Sequence, residues 1–125
     1  MARFQFTVLD CPDPAALAAF YAALTGVDID DGESRADWVQ LRGEEQGRPT
    51  LAFQRAPGYR PPPWPDEHAA QQAHLDFEVP DLDEGEAAAR ALGARKAETQ
   101  PGERFRVFVD PAGHPFCLVL PRGLR

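Results

Sequence analysis

Apolar positions along this chain fall into two alternating rhythms. Residues 3–9 (RFQFTVL) are aromatic and β-branched and predict a strand. Asp13 and Pro14 then suit the cap and the first position of a helix. Over residues 15–24, Leu17, Phe20, Tyr21 and Leu24 recur at spacings of three and four, and Gly26 closes the helix. Residues 27–31, 37–41 (DWVQL) and 50–55 (TLAFQR) predict three more strands, with a polar loop over 42–48.

The pattern then breaks. In residues 56–66 (APGYRPPPWPD) five of eleven positions are proline, too few backbone donors for a sheet. The segment reads as a linker or covering loop. Tyr59 and Trp64 within it are large aromatics, which seek a surface to cover: a lid on a cleft or packing at a dimer interface. A helical turn is expected over 67–72.

After that break the pattern restarts. Residues 74–79 (HLDFEV) predict a strand, Pro80-Asp81 a helix start, and 82–92 a helix ending at Gly93. A short strand over 95–98, strands over 105–109 (FRVFV) and 116–120 (FCLVL), and a turn at Asp110-Pro111-Ala112-Gly113 complete the chain. An offset of 68 places Phe6 on His74, Pro12-Asp13 on Pro80-Asp81 and Ala23-Leu24 on Ala91-Leu92. With two residues lost from a loop, Gly47-Arg48-Pro49 falls on Gly113-His114-Pro115. Each half is then strand, helix, strand, strand, strand, and two such modules can close a sheet around a shared cleft.

Composition narrows the function classes. The 125 residues carry 13 Lys+Arg against 20 Asp+Glu, a formal charge of −7, which argues against a nucleic-acid backbone as partner. Two cysteines, Cys11 and Cys117, form no secreted-type disulfide framework, and no apolar run approaches the roughly 18 residues of a membrane helix. Neither a signal peptide nor a membrane partner is expected, and the expected location is cytoplasmic. There is no Gly-rich phosphate loop, nucleophile elbow, CxxC pair or HExxH.

Three stretches together resemble the glyoxalase, bleomycin-resistance and extradiol-dioxygenase group, the vicinal oxygen chelate superfamily. They are VLDCPDPAALAAFYAALTG, HLDFEVPDLDEGEAAARALGA and VFVDPAGHPFCLVL. The match is most similar to the short glyoxalase-like domain subgroup. The resemblance implies an α+β fold, two βαβββ modules forming one cupped mixed sheet, a homodimer, and a small-molecule ligand in the cup. The modules are expected at about 1–56 and 73–125, with a Pro-rich connection over 57–72.

Metal-dependent members of this group hold one divalent ion with four side chains, typically two histidines and two carboxylates. Carried over, those positions are Phe6, Leu51, His74 and Cys117. Only His74 is an ordinary ligand; Cys117 offers a thiolate; Phe6 and Leu51 coordinate nothing, and shifting the register from Leu51 to Ala52 does not help. The usual metal site is therefore expected to be lost, with no cofactor. The alternative is a relocated site, since His74, Asp76 and Glu78 alternate along one strand and share a face. Glu78 reads better as a solvated, Arg-paired residue; Asp76 stays open between the two readings. His68 and His114 read as solvated.

His74 is the candidate catalytic residue, as a general base or a donor to a carbonyl; a purely structural histidine is the competing reading. Candidate ligand contacts are Phe6, Leu51, Asp76 and Cys117, with Trp38 and Phe108 as apolar walls, Gln40 and Arg106 as polar contacts, and Arg55 as a carboxylate clamp. Each has a structural alternative: Trp38 as core, Cys117 as a buried small hydrophobe, Arg55 as a surface ion-pair partner. Alternation does not say which face of each strand lines the cup. Two function classes result: a metal-independent binding protein, or a lyase or isomerase of the glyoxalase type that uses His74 as base or as a residual metal ligand.

Overall fold

The computed structural model describes residues 1–43, 49–64 and 70–121. The chain divides into two compact units, Met1–Tyr59 and Arg60–Arg125. Each is α+β, with one helix against one mixed sheet.

The first unit contains β1 (Phe6–Cys11), α1 (Pro14–Thr25), β2 (Trp38–Gln40) and β3 (Thr50–Arg55). The α1 ends are set as the sequence predicts. Asp13 Oδ1 accepts from the Ala16 N–H at 3.2 Å, and Gly26 takes φ 76° while its N–H reaches the Ala22 carbonyl at 2.8 Å. β1 pairs parallel with β3, and β2 pairs antiparallel with β3. Tyr21 of α1 stacks on Phe53 of β3 at 5.6 Å, so Phe53 marks the helix-facing side of this sheet. Val39 is paired with Phe53, and Leu51 shares its parity; both belong to that side.

Two expectations shift here. β1 begins and ends two or three residues later than expected, so Cys11 closes the strand instead of sitting in a turn. It is fully buried, and its carbonyl accepts from the Ala56 N–H at 3.0 Å. The strand expected over 27–31 shrinks to one bridge, Ile29 to Leu41, flanked by hydrogen bonds from Asp30 N to Gln40 O and from Arg42 N to Asp28 O. The run Asp30-Asp31-Gly32 favours a turn, and Asp31–Glu33 is a 3₁₀ turn. The loop expected over 42–48 falls mostly outside the described residues.

The second unit contains β4 (Leu75–Glu78), α2 (Leu82–Ala91), β5 (Arg95–Lys96), β6 (Phe105–Val109) and β7 (Pro115–Val119). Its strand order is β4-β7-β6-β5, with β4 and β7 parallel and the other pairs antiparallel. The parallel first-to-last pairing and the antiparallel hairpin partner repeat the plan of the first unit. Asp81 caps α2 through the Glu84 N–H at 2.8 Å, the counterpart of Asp13. Of the helical turn expected over 67–72, residues 67–69 lie outside the described residues and 70–72 are not helical.

Helix α2 lies close on its sheet because Gly85 has no side chain. A Cβ there would stand 3.1–3.2 Å from Val79 and Leu118 methyls. Leu118 thus marks the helix-facing side of this sheet, which Phe116 and Phe108 share by pairing and parity. Phe108 stacks on Phe116 at 5.6 Å and Phe77 meets it edge-on at 5.9 Å. Full burial of each such ring contributes roughly 1.5–3 kcal/mol.

Candidate functional site

The opposite side of the second sheet brings an imidazole, a carboxylate and a thiol together. Ladder pairing sets Val107 and Asp76 on either side of Cys117, and Phe105 opposite Val119. These five side chains share a face. It borders a cleft of about 600 Å³ lined by Trp64, Gln71, His74, Asp76, Pro101, Glu103, Arg104, Phe105, Val107, Pro115, Cys117 and Val119. The size suits a small organic ligand. Trp64 and Phe105 pack on the Val107–Cys117–Val119 cluster and form the apolar wall.

The polar end is built by β4 and β7. His74 precedes β4, Asp76 lies two residues on, and Cys117 stands beside Asp76 on β7. His74 Nε2 is 3.1 Å from Asp76 Oδ1, with both side chains partly exposed. One donor atom from each of His74, Asp76 and Cys117 lies within 4.8 Å of the others. Burial pushes the Cys117 thiol up to about 11, and the neighbouring Asp76 carboxylate adds to this by its charge and by accepting the thiol hydrogen bond. In this environment the thiol is protonated at neutral pH and is a poor nucleophile.

Two side chains outside the cleft hold its walls. Strand β5 stops at Lys96, and Gln100 takes over the edge of β6: its Oε1 accepts from Val107 N at 2.9 Å and its Nε2 donates to Val107 O at 2.8 Å and Ala97 O at 2.7 Å. The residues just beyond it, Pro101, Glu103 and Arg104, line the cleft. In the β6–β7 turn, buried Asp110 accepts from the N–H groups of Ala112 at 2.8 Å and His114 at 3.0 Å. That turn fixes the hairpin register, and so which β6 residues share a face with Cys117.

Of the residues singled out from the sequence, His74, Asp76 and Cys117 come together here. Arg106 and Phe108 lie on the other side of the same sheet. Arg106 reaches α2, with Nη2 2.8 Å from Asp83 Oδ1 and Nη1 3.0 Å from Glu86 Oε1, and Phe108 is fully buried. Phe6, Trp38 and Gln40 lie in the first unit, on the side of its sheet away from α1. Phe6 meets Trp38 edge-on at 5.8 Å, and Trp38 Nε1 donates to Gln40 Oε1 at 2.9 Å. Leu51 lies on the α1 side, and Arg55 is exposed at the end of β3. Glu78 is exposed on β4, outside the cleft lining; His114 sits in the β6–β7 turn, and His68 lies outside the described residues. Parity reasoning left out Phe105, Val107 and Val119, and nothing in the local pattern marked Gln100.

Of the four positions that the resemblance implies, Phe6 and Leu51 carry no donor atom in their side chains. Register sharpens the point. Cys117 pairs with Asp76, and the matching pair in the first unit is Val8 with Ala52. Ala52, not Leu51, is therefore the counterpart of Cys117, and it too has no donor.

Comparison with known proteins agrees with this architecture. A glyoxalase/bleomycin resistance protein/dioxygenase family enzyme from Burkholderia phytofirmans PsJN superposes with a TM-score of 0.74 at 16% identity, covering 95% of this chain and 98% of that one. A lactoylglutathione lyase from Agrobacterium tumefaciens gives 0.62 at 21% identity, over 99% and 96% of the two chains. A bleomycin-binding protein solved with bleomycin gives 0.57 at 23% identity, over 98% and 100%. At these identities the likeness is one of fold. No curated protein matches the chain. The family described as "Glyoxalase-like domain" matches residues 6–119, nearly the whole sequence, and the chain belongs to that family.

Proposed function

We propose that this protein binds a small organic ligand in the cleft of its second unit, without the four-donor metal site usual in its relatives. The observation that carries this reading is the cleft itself. It measures about 600 Å³, has an apolar wall of Trp64, Phe105, Val107 and Val119, and ends in the polar trio His74, Asp76 and Cys117. A flat, largely apolar ligand with one polar end suits that division. The bleomycin complex of a structural neighbour supports binding as a mode open to this fold. The protein acts as a homodimer in this reading, as the resemblance implies, and sedimentation at micromolar concentration tests that part.

A thermal-shift screen of small apolar metabolites and antibiotics tests the binding. A ligand at a hundredfold excess over its Kd stabilises the fold by about 2.7 kcal/mol. Val107→Arg, which fills the cleft with a charge, is expected to remove that shift, and Trp64→Ala to reduce it. A hit whose shift survives both, but is lost in Trp38→Ala or Arg55→Ala, would move the ligand to the first unit. A screen with no hits would reject the binding reading.

The second reading is a lyase or isomerase of the glyoxalase type with His74 as base. The 3.1 Å approach of Asp76 to His74 Nε2 favours it, because a carboxylate held on one imidazole nitrogen orients the ring for proton transfer at the other. Turnover of a bound ligand, lost in His74→Ala while binding persists, would establish it; unchanged turnover in that variant would exclude it.

A further inference from the structure

We infer that His74, Asp76 and Cys117 form a three-donor site for a thiophilic divalent cation of the zinc type. The site lies within the second unit alone, and its fourth position is open to the cleft. The inference goes beyond ligand binding, since the site needs no organic molecule to exist.

The donor atoms, an imidazole nitrogen, a carboxylate oxygen and a thiol sulfur, lie within 4.8 Å of one another; the thiol, protonated in the empty site, gives up its proton to water as the cation binds. Donors held about 2.0–2.3 Å from a tetrahedral zinc are roughly 3.3–3.8 Å apart. His74 Nε2 and Asp76 Oδ1, at 3.1 Å, are already near that spacing, and Cys117 Sγ lies no more than 4.8 Å from either residue's donor atom.

The backbone fixes two of the three directions. Asp76 and Cys117 are paired across the parallel β4–β7 ladder, so their side chains leave the sheet side by side. His74, two residues before Asp76, has the same parity at the start of the strand. The sulfur is buried, whereas His74 and Asp76 are partly open to the cleft. A cation would thus be anchored from below by sulfur and reached from above by solvent or ligand. Three protein donors and one open position are the composition of a zinc site that exchanges its fourth ligand. The mixed donors select zinc, cobalt or a similar borderline ion over magnesium or calcium, which prefer oxygen alone. This set differs from the four-strand arrangement described above, because it takes nothing from the first unit and uses Asp76, a position that arrangement does not employ.

Cobalt(II) titration of the chelator-treated full chain tests the site. Cobalt alone, with no organic ligand added, is expected to bind with a stoichiometry of one. It should give a near-ultraviolet thiolate-to-metal charge-transfer band and intense tetrahedral visible bands, and zinc should abolish both. Cys117→Ser should lose the charge-transfer band and Cys11→Ser should keep it. His74→Ala and Asp76→Ala, at partly exposed positions that leave the core untouched, should weaken cobalt binding by about tenfold or more, the loss already typical of outer-shell partners.

Absence of the band in the wild-type chain at stoichiometric cobalt overturns the proposal. So does a band that survives Cys117→Ser, or unchanged affinity in both the His74 and Asp76 variants. If Cys117→Ser fails to fold, protection of wild-type Cys117 from a thiol reagent by zinc decides in its place. Protection supports the site, and an unchanged rate overturns it. The ligand screen on metal-free protein is independent, so either idea can fail while the other stands.

Discussion

Single side chains here do work that their residue type does not announce. Asp110 is a buried acid, but its carboxylate serves as the scaffold of a turn, accepting from two backbone N–H groups. Asp110→Ala is expected to lower the unfolding free energy by about 1–3 kcal/mol. Asp110→Asn, which keeps an acceptor oxygen, should cost less than half of that. Urea unfolding with an unchanged slope is the measurement, and equal losses in the two variants would show that the charge matters more than the acceptor. Gly102 is a second case: a Cβ there would lie 2.1 Å from Phe105 Cε1, so the Phe105 ring occupies the space a side chain would need. Nothing in the sequence shows that this glycine makes room for a cleft wall.

At the level of elements, helix positions and the succession of most strands along the chain are legible in the sequence, while the choice of faces is not. Asp13-Pro14 and Asp81 mark the helix starts, because a short acceptor before an apolar rhythm has few other uses. Faces are harder: alternation gives two sets of residues per strand and no label for either. Alternation on β6 offers Arg106 and Phe108 as ligand contacts, yet Arg106 serves α2 and Phe108 the core beneath it.

The missing constraint was present in the turn. With residues 110–114 closing the hairpin, Val109 pairs with Pro115 and Val107 necessarily with Cys117. Once Cys117 is assigned to the cleft, Phe105 and Val107 follow and Arg106 is excluded. Gln100 belongs to this scale too, since it continues an edge that β5 abandons. Gln100→Ala leaves Val107 N–H without its side-chain partner. It is expected to cost about 1–2 kcal/mol and to weaken ligand binding in the cleft, read by urea unfolding and by thermal shift. A stability loss with ligand affinity untouched would show that the loop beyond Gln100 is not what shapes the cleft.

For the whole molecule, the two units share a plan and divide the chemistry unequally. Strand pairing repeats, the N-terminal helix caps repeat, and the offset between halves is visible in the sequence. The helices themselves differ. α1 buries Pro14, Leu17, Ala18, Phe20 and Tyr21, whereas α2 buries only Ala89 and carries a charged face. On that face Lys96, then Arg106, hold the Glu86 carboxyl below its ordinary value.

Two shifts of opposite sense bracket the stability of the metal-free chain. Glu86 gives up its proton more readily when folded, so the unfolded chain binds more protons in the acid range. That contribution is present above the ordinary value near 4.5 and is lost as pH falls through the lowered one. The Cys117 thiol keeps its proton more firmly when folded, so its contribution is full below its ordinary value near 9 and is lost as pH rises toward about 11. Urea midpoints against pH are expected to fall at both ends. Glu86→Gln should flatten the acid limb and Cys117→Ser the alkaline one; unaltered limbs would assign the pH dependence to other groups.

Gly113, at φ 92°, leaves just enough room for Pro61, whose Cβ would lie 2.7 Å from any side chain there. The proline run Pro61-Pro62-Pro63 thus starts from a fixed point on the β6–β7 turn and leads directly to Trp64. Prolines have little conformational freedom to lose, folded or unfolded. A ligand bound as proposed would therefore meet an indole already in place, and little of its binding free energy would go into ordering that wall. Association should then be fast and nearly independent of loop rearrangement, and differences in affinity between ligands should appear in how quickly they leave.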